Sequence, residues 1–336
     1  MNHIEKILRE EAKRLFEEKK IDMLIGFEQG TLPLTATPLF ITKSEDVERL
    51  VWNPACSVNL SKYLHGILHW HRESQTRLKP EQRKKKVIGI VANGCTTRSI
   101  IVHQQENQYS KDDILIVGVP CIGVIDIKKV QKRVGDEEII DGSFKDEKII
   151  VKTSKRTEEL PLEEFLSDSC VTCICKNPVI SDVTVGEPVE QASDNNNEFL
   201  TVEEFLKKSH DERWEYFKKQ VEKCIRCYAC RNACPLCYCK DCFIEQTKPK
   251  WVGTTDDISD TMLFHITRAF HTAGRCVDCG ACALACPVGV DIRRFLKKLN
   301  KDCLELFHHR AGMDLEKKSP LSTYDTNDPQ NFITEP

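Results

Sequence analysis

The sequence contains no membrane span: none of its apolar runs approaches the roughly eighteen residues that crossing a bilayer requires. The N-terminus does not read as a secretory leader either. The opening MNHIEKILREEAKRLFEEKK mixes acids and bases in an amphipathic pattern, without an apolar stretch or a small-residue cleavage site. Both absences point to a cytoplasmic protein. Net charge is nearly absent at −3, so bulk electrostatics give no reason to expect nucleic acid or a membrane surface as a partner. Low-complexity sequence, a P-loop and a GxGxxG loop are also lacking. What remains is 336 residues, 40% apolar and 30% charged, enough for two domains with a core each.

Cysteine, by contrast, is abundant. There are 18, and eleven of them lie between Cys224 and Cys286. Disulfides rarely persist in reducing cytosol, where close CxxC runs indicate metal. The crowded segment contains one pattern twice: Cys224-x2-Cys227-x2-Cys230-x3-Cys234-Pro235 and Cys276-x2-Cys279-x2-Cys282-x3-Cys286-Pro287. Three thiolates at that spacing wrap one cubane from a short loop, and the fourth turns away to the other cluster of a two-cluster ferredoxin. One [4Fe–4S] cluster is thus expected on Cys224, Cys227, Cys230 and Cys286, the other on Cys276, Cys279, Cys282 and Cys234. Zinc sites pair two CxxC knuckles and do not repeat four cysteines followed by proline. The apolar pattern of Asp260 to Thr272, between the motifs, predicts a mostly buried helix. This makes the module similar to the alpha-helical ferredoxin domain of succinate dehydrogenase iron–sulfur subunits and of the heterodisulfide reductase C subunit. His265 and His271 on that helix read as hydrogen-bonded core or surface histidines. Cys237, Cys239 and Cys242 either supply another metal, for which no fourth ligand is adjacent, or, as the favoured reading, are free or packing cysteines.

The first half of the chain reads as α/β with a partly parallel sheet. A helix is predicted over residues 1–20 and a strand from Met23 to Phe27. The continuous apolar runs at 87–92 and Ile114 to Val119 predict buried parallel strands in a right-handed βαβ unit with a rather short helix. A hairpin turning near Asp141-Gly142 is expected over 137–153. The domain limits read as 1–185, a polar linker 186–200, a mainly helical dicluster domain 201–310 and a loose tail 311–336. Thr201 with Glu204 predicts a capping box for one helix running to about Lys223, and a final helix is expected from Ile292 to about His309.

Cys95 and Cys121 follow the ends of the two predicted parallel strands, the edge where open α/β sheets gather ligands. With Cys170 and Cys173 they make a candidate third [4Fe–4S] site, for which Cys56 and Cys175 are possible substitutes. The loop Asn93 to Arg98 presents backbone N–H groups at a helix start. Gly94, Thr96, Thr97 and Arg98 are therefore candidate phosphate contacts of a cofactor. The basic run Arg83 to Lys86 reads as a solvated face that at most steers an acidic partner such as ferredoxin.

Three segments carry a family resemblance: Gly94-Cys95-Thr96-Thr97-Arg98-Ser99, Ile116 to Cys121, and Cys170-Val171-Thr172-Cys173 with Asp182 and Gly186. Across about residues 20–190 the chain resembles the beta subunits of deazaflavin-coenzyme-reducing hydrogenases and formate dehydrogenases. The resemblance implies FAD, a cluster held by Cys95, Cys121, Cys170 and Cys173, and electron transfer between clusters and the deazaflavin coenzyme. In that family the cluster module commonly precedes the catalytic domain; here it follows. This order resembles relatives that accompany heterodisulfide reductase, hydrogenase or formate dehydrogenase subunits, which become the expected partners. The expected function is an iron–sulfur, flavin-containing electron-transfer subunit of an anaerobic oxidoreductase complex. Its rival is a flavin-free relay between such modules.

Overall fold

The computed structural model describes residues 3–191, 198–255, 257–323 and 326–327. The chain divides into two compact units: Met1–Thr97 with Asn107–Ala192, and Arg98–Glu106 with Ser193–Pro336. Residues 192–197 of the expected linker, and most of the tail from 324 onward, lie outside the described residues. No helix among those described is long and apolar enough to cross a membrane.

The first unit opens with α1 (His3–Glu17), whose buried Leu8, Ala12 and Leu15 recur at the helical period. Strands β1 (Met23–Gln29) and β2 (Ala36–Ile41) follow, then α2 (Ser61–Thr76) and β3 (Ile88–Ala92). Every residue of β3 is buried, as its unbroken apolar run requires. Helix α3 (Gly94–Gln105) leads to β4 (Ile114–Gly118), which pairs in parallel with β3 from Ile88↔Ile114 to Ala92↔Gly118. Next come α4 (Ile127–Val134), β5 (Ile139–Lys145), β6 (Lys148–Thr153), β7 (Thr157–Pro161), α5 (Asp168–Val171) and β8 (Val183–Thr184). Among the described residues the main sheet has the order β2-β1-β3-β4-β8, with only the β1–β2 pair antiparallel.

Strands β5, β6 and β7 form a separate antiparallel sheet over its own core of Ile149, Val151, Leu160 and Phe165. Its first turn is not at Asp141-Gly142, which lie within β5 opposite Lys152 and Val151. The chain reverses at Asp146-Glu147, both at positive φ (48° and 60°), between the paired residues Lys145 and Lys148. Gly142 serves packing instead: a Cβ there would lie 2.5 Å from Leu34 Cγ.

The second unit is helical: α6 (Leu200–Leu206), α7 (His210–Glu222), α8 (Ala229–Ala233), α9 (Ile258–His271), α10 (Ala281–Leu284) and α11 (Ile292–Phe307). The single helix expected up to Lys223 is two. Ser209 Oγ accepts from Glu212 N at 3.2 Å, while the Glu212 carboxylate accepts from Ser209 N at 2.8 Å. This reciprocal cap satisfies the first N–H groups of α7 and ends α6. Thr201 is not a cap, since Phe199 holds that position without a side-chain bond. Helix α9 is buried on one face only. Phe264, His265, Arg268 and Ala269 are inside, whereas Leu263, Ile266 and Phe270 are exposed. Its apolar residues occur nearly all round the helix, and only one face meets the core of Val290, Ile292 and Leu296.

Candidate iron–sulfur sites

The repeated motif is also a repeat in backbone. The second residue after the first cysteine has positive φ in both copies, Arg226 at 50° and Asp278 at 56°. So does the fourth, Tyr228 at 58° and Gly280 at 74°. L-residues other than glycine seldom adopt this conformation, and alternating it with right-handed residues turns N–H groups toward a common concave space. The short helices α8 and α10 begin directly after these positions.

The thiols fall into two crossed neighbourhoods. Cys224 lies near Cys227 and Cys286, and Cys230 near Cys224 and Cys286. Cys276 lies near Cys282 and Cys234, and Cys279 near Cys234, Cys282 and Cys276. Cys286 thus stands with Cys224 and Cys230 of the first run, and Cys234 with Cys276, Cys279 and Cys282 of the second, while Cys282 also lies near Cys230. Burial pushes the Cys276 thiol up to about 12 and the Cys282 thiol up to about 11. Such buried thiols lose their protons when a metal takes the proton's place.

In the first unit, Cys95 and Cys121 follow adjacent parallel strands and so leave the same sheet edge. Cys121 lies near Cys170, Cys173 and Cys56, and its side chain is hydrogen-bonded to Asn93. Asn93 also draws in Cys95, whose Sγ donates to Asn93 Oδ1 at 3.1 Å. Cys175 is turned aside, its Sγ donating to the Asn177 carbonyl at 3.3 Å.

Whether these thiols suit clusters can be read from their donors. Backbone N–H groups point at sulfur in both units: Gly123 to Cys121 and Cys175 to Cys173 at 3.4 Å, Val124 to Cys170 at 3.3 Å. Arg226 N approaches Cys224 at 3.4 Å and Val290 N approaches Cys286 at 3.3 Å. A neutral thiol is a weak acceptor, so repeated N–H donation suits thiolate sulfur, and such bonds help to set cluster potentials. No set of three or more Cys, His, Asp or Glu among the described residues is arranged to hold a single metal ion.

The phosphate candidates have protein partners. Thr97 Oγ1 donates to the Gly94 carbonyl at 2.9 Å and accepts from Val179 N at 3.1 Å. Thr96 N donates to Asn93 Oδ1 at 3.0 Å. Arg98 directs Nε and Nη2 to the Ala311 carbonyl at 3.0 and 2.8 Å, and Nη1 to that of Val277 at 3.1 Å. Arg83, Lys84 and Lys85 are exposed. Cys237, Cys239 and Cys242 line a cavity of about 80 Å3 with Arg231, Arg268 and His271. His265 is buried as expected, but its Nε2 has no hydrogen-bond partner, and burial holds the ring down at about 4. Two further residues escape the motif spacing, Asn93 between Cys95 and Cys121 and Arg268 among the dicluster thiols. The only available signals were an asparagine at a strand end and an arginine on an otherwise apolar helix face.

Residues 85–222 match the family model for the C-terminal part of coenzyme F420 hydrogenase/dehydrogenase beta subunits, and residues 220–290 match the 4Fe-4S dicluster domain. The chain joins these two domains. Two relatives match over most of their length. The F420-dependent formate dehydrogenase subunit beta of Methanocaldococcus jannaschii is 21% identical, the alignment covering 90% of each chain. The F420-dependent formate dehydrogenase 1 subunit beta of Methanococcus maripaludis is 23% identical, covering 92% of this chain and 91% of its own. A chain of the F420-reducing NiFe hydrogenase complex from Methanosarcina barkeri aligns with TM-score 0.33 and 17% identity, over 51% of this chain and 62% of that one. The beta-subunit domain matches from 85 to 222, later at both ends than the 20–190 of the resemblance, and meets the dicluster domain at α7. The chain is an iron–sulfur electron-transfer subunit of the oxidoreductase kind, and its dicluster domain is of the type that carries two [4Fe–4S] clusters.

Proposed function

We propose that this chain is the beta-type subunit of an F420-dependent formate dehydrogenase or hydrogenase-like complex, with three [4Fe–4S] clusters and one FAD. The convergence of Cys95, Cys121, Cys170 and Cys173 at one sheet edge carries this reading, with backbone N–H groups donating to three of the four sulfurs. The crossed sets Cys224, Cys227, Cys230, Cys286 and Cys276, Cys279, Cys282, Cys234 hold the other two clusters. The clusters supply one-electron transfer and the flavin pairs those electrons for hydride-level chemistry. The protein's own part is to fix the thiols, bury them and aim N–H donors at sulfur, which sets the potentials. FAD enters through the beta-subunit family. The side chains of Thr97 and Arg98 already bond within the protein, so among the phosphate candidates Gly94 and Thr96 are left for it. Partners are the catalytic subunits of such a complex.

The test is iron, acid-labile sulfide and flavin per chain in anaerobically purified protein. About twelve iron and one FAD are expected from three cubanes and one flavin. About eight iron would remove the third cluster from the proposal. Full iron without flavin would make the chain a relay, passing single electrons between partner subunits.

A further inference from the structure

Arg268 is a buried cation. It lies on the inner face of α9 and is 3% exposed. Its Nη2 donates to the Cys230 carbonyl at 3.1 Å, while its Nε is buried with no hydrogen-bond partner. Among the described residues no carboxylate pairs with it. An isolated guanidinium in such a place is costly unless something negative stands close. The negative groups that act on its charge are thiols, those of Cys282, Cys234, Cys237 and Cys230, and the Cys237 side chain is hydrogen-bonded to it. Of these, Cys230 belongs to one crossed set, and Cys234 and Cys282 to the other. The cation thus stands among thiols of both sets, with a donor still unused.

We propose that Arg268 is a positioning residue that raises the reduction potentials of both clusters of the dicluster domain. This rests on the two-cluster reading. Each cluster gains one electron on reduction, and no bond forms or breaks. A fixed positive charge in a medium of low dielectric stabilises the more negative, reduced form and moves the potential upward. The free Nε fits this role, because anionic sulfur is the acceptor it lacks. Arg98 contrasts with it, its Nε, Nη1 and Nη2 all donating to carbonyls.

The experiment uses the full chain, purified anaerobically as wild type, R268Q and R268K. Iron and sulfide are counted, and potentials are read by dithionite titration monitored by EPR. The expected result is wild-type iron content in R268Q, with both dicluster potentials lowered at least tenfold in the one-electron equilibrium, equivalent to about 59 mV. R268K, which keeps the charge, should retain most of the wild-type value. Unchanged potentials in R268Q overturn the proposal. So does equal loss of iron from both variants, which would make Arg268 purely structural. Wild-type protein without the two dicluster signals would instead overturn the cluster reading itself, an outcome visible before any variant is compared.

Discussion

At Gly94 a methyl group has no room. A Cβ there would lie 2.0 Å from the Cys175 carbonyl oxygen and 2.8 Å from that of Asn177, both backbone atoms that cannot swing away. Gly94→Ala is expected to destabilise the first unit by about 1–3 kcal/mol, the usual cost of overpacking. A urea titration should show this as a lower midpoint at unchanged slope. The variant should also hold less iron, because Gly94 adjoins Cys95 and the displaced segment follows Cys173. An unaltered midpoint would contradict this packing. The cysteines were legible at this scale because cluster ligation is a local matter: the spacing of three thiolates is written in consecutive residues. Asn93 and Arg268 were not, since their roles depend on which thiols the fold brings beside them. Gly142 misled for a related reason. Asp-Gly is a turn signal, but this glycine makes room for Leu34.

The elements show where local and tertiary signals compete. Buried strands β3 and β4 were legible because both faces are covered and their apolar runs are unbroken. The hairpin register was not. It is set by placing Ile149 and Val151 of β6, both fully buried, in the core, which moves the reversal to Asp146-Glu147. Glutamate is poorly suited to positive φ, so Glu147→Gly should stabilise the hairpin by about 0.5 kcal/mol, relief of strain outweighing the added chain entropy. A small rise in melting temperature would bear this out, and a fall would place the turn elsewhere. The break between α6 and α7 has a capping cause, for two candidate capping boxes lie close together and only Ser209–Glu212 closes. Ser209→Ala should cost about 1 kcal/mol, and the same change at Thr201 much less. Equal losses would mean that Thr201 caps after all.

Over the whole molecule the decisive feature is that the thiol neighbourhoods cross the sequence. Residues 235–275 separate the two motifs, and within them α9 packs against cysteines of both runs and the core residues of α11. The grouping of Cys286 with Cys224 and Cys230 ties the last turn of the second motif to the loop of the first. Neighbouring ion pairs hold the second motif in place. Lys297, 3% exposed, bonds Asp278 at 2.7 Å and Glu198 at 3.4 Å. Lys297→Met would remove one partner from each carboxylate, leaving Arg293 on Asp278 and Arg310 on Glu198. The change should cost about 2 kcal/mol in a denaturant titration of the cluster-loaded chain; no loss would show that the two arginines suffice. The crossing itself is tested by exchanging one thiol at a time. If Cys286 serves the cluster wrapped by the first motif, Cys286→Ser should disturb the same EPR signal as Cys224→Ser and leave intact the one disturbed by Cys276→Ser. If each motif held its own cluster, Cys286→Ser would instead match Cys276→Ser. The two arrangements contain the same iron, so only this pairing of spectra separates them. The first outcome would also explain why neither motif is expected to keep a complete cluster without the other.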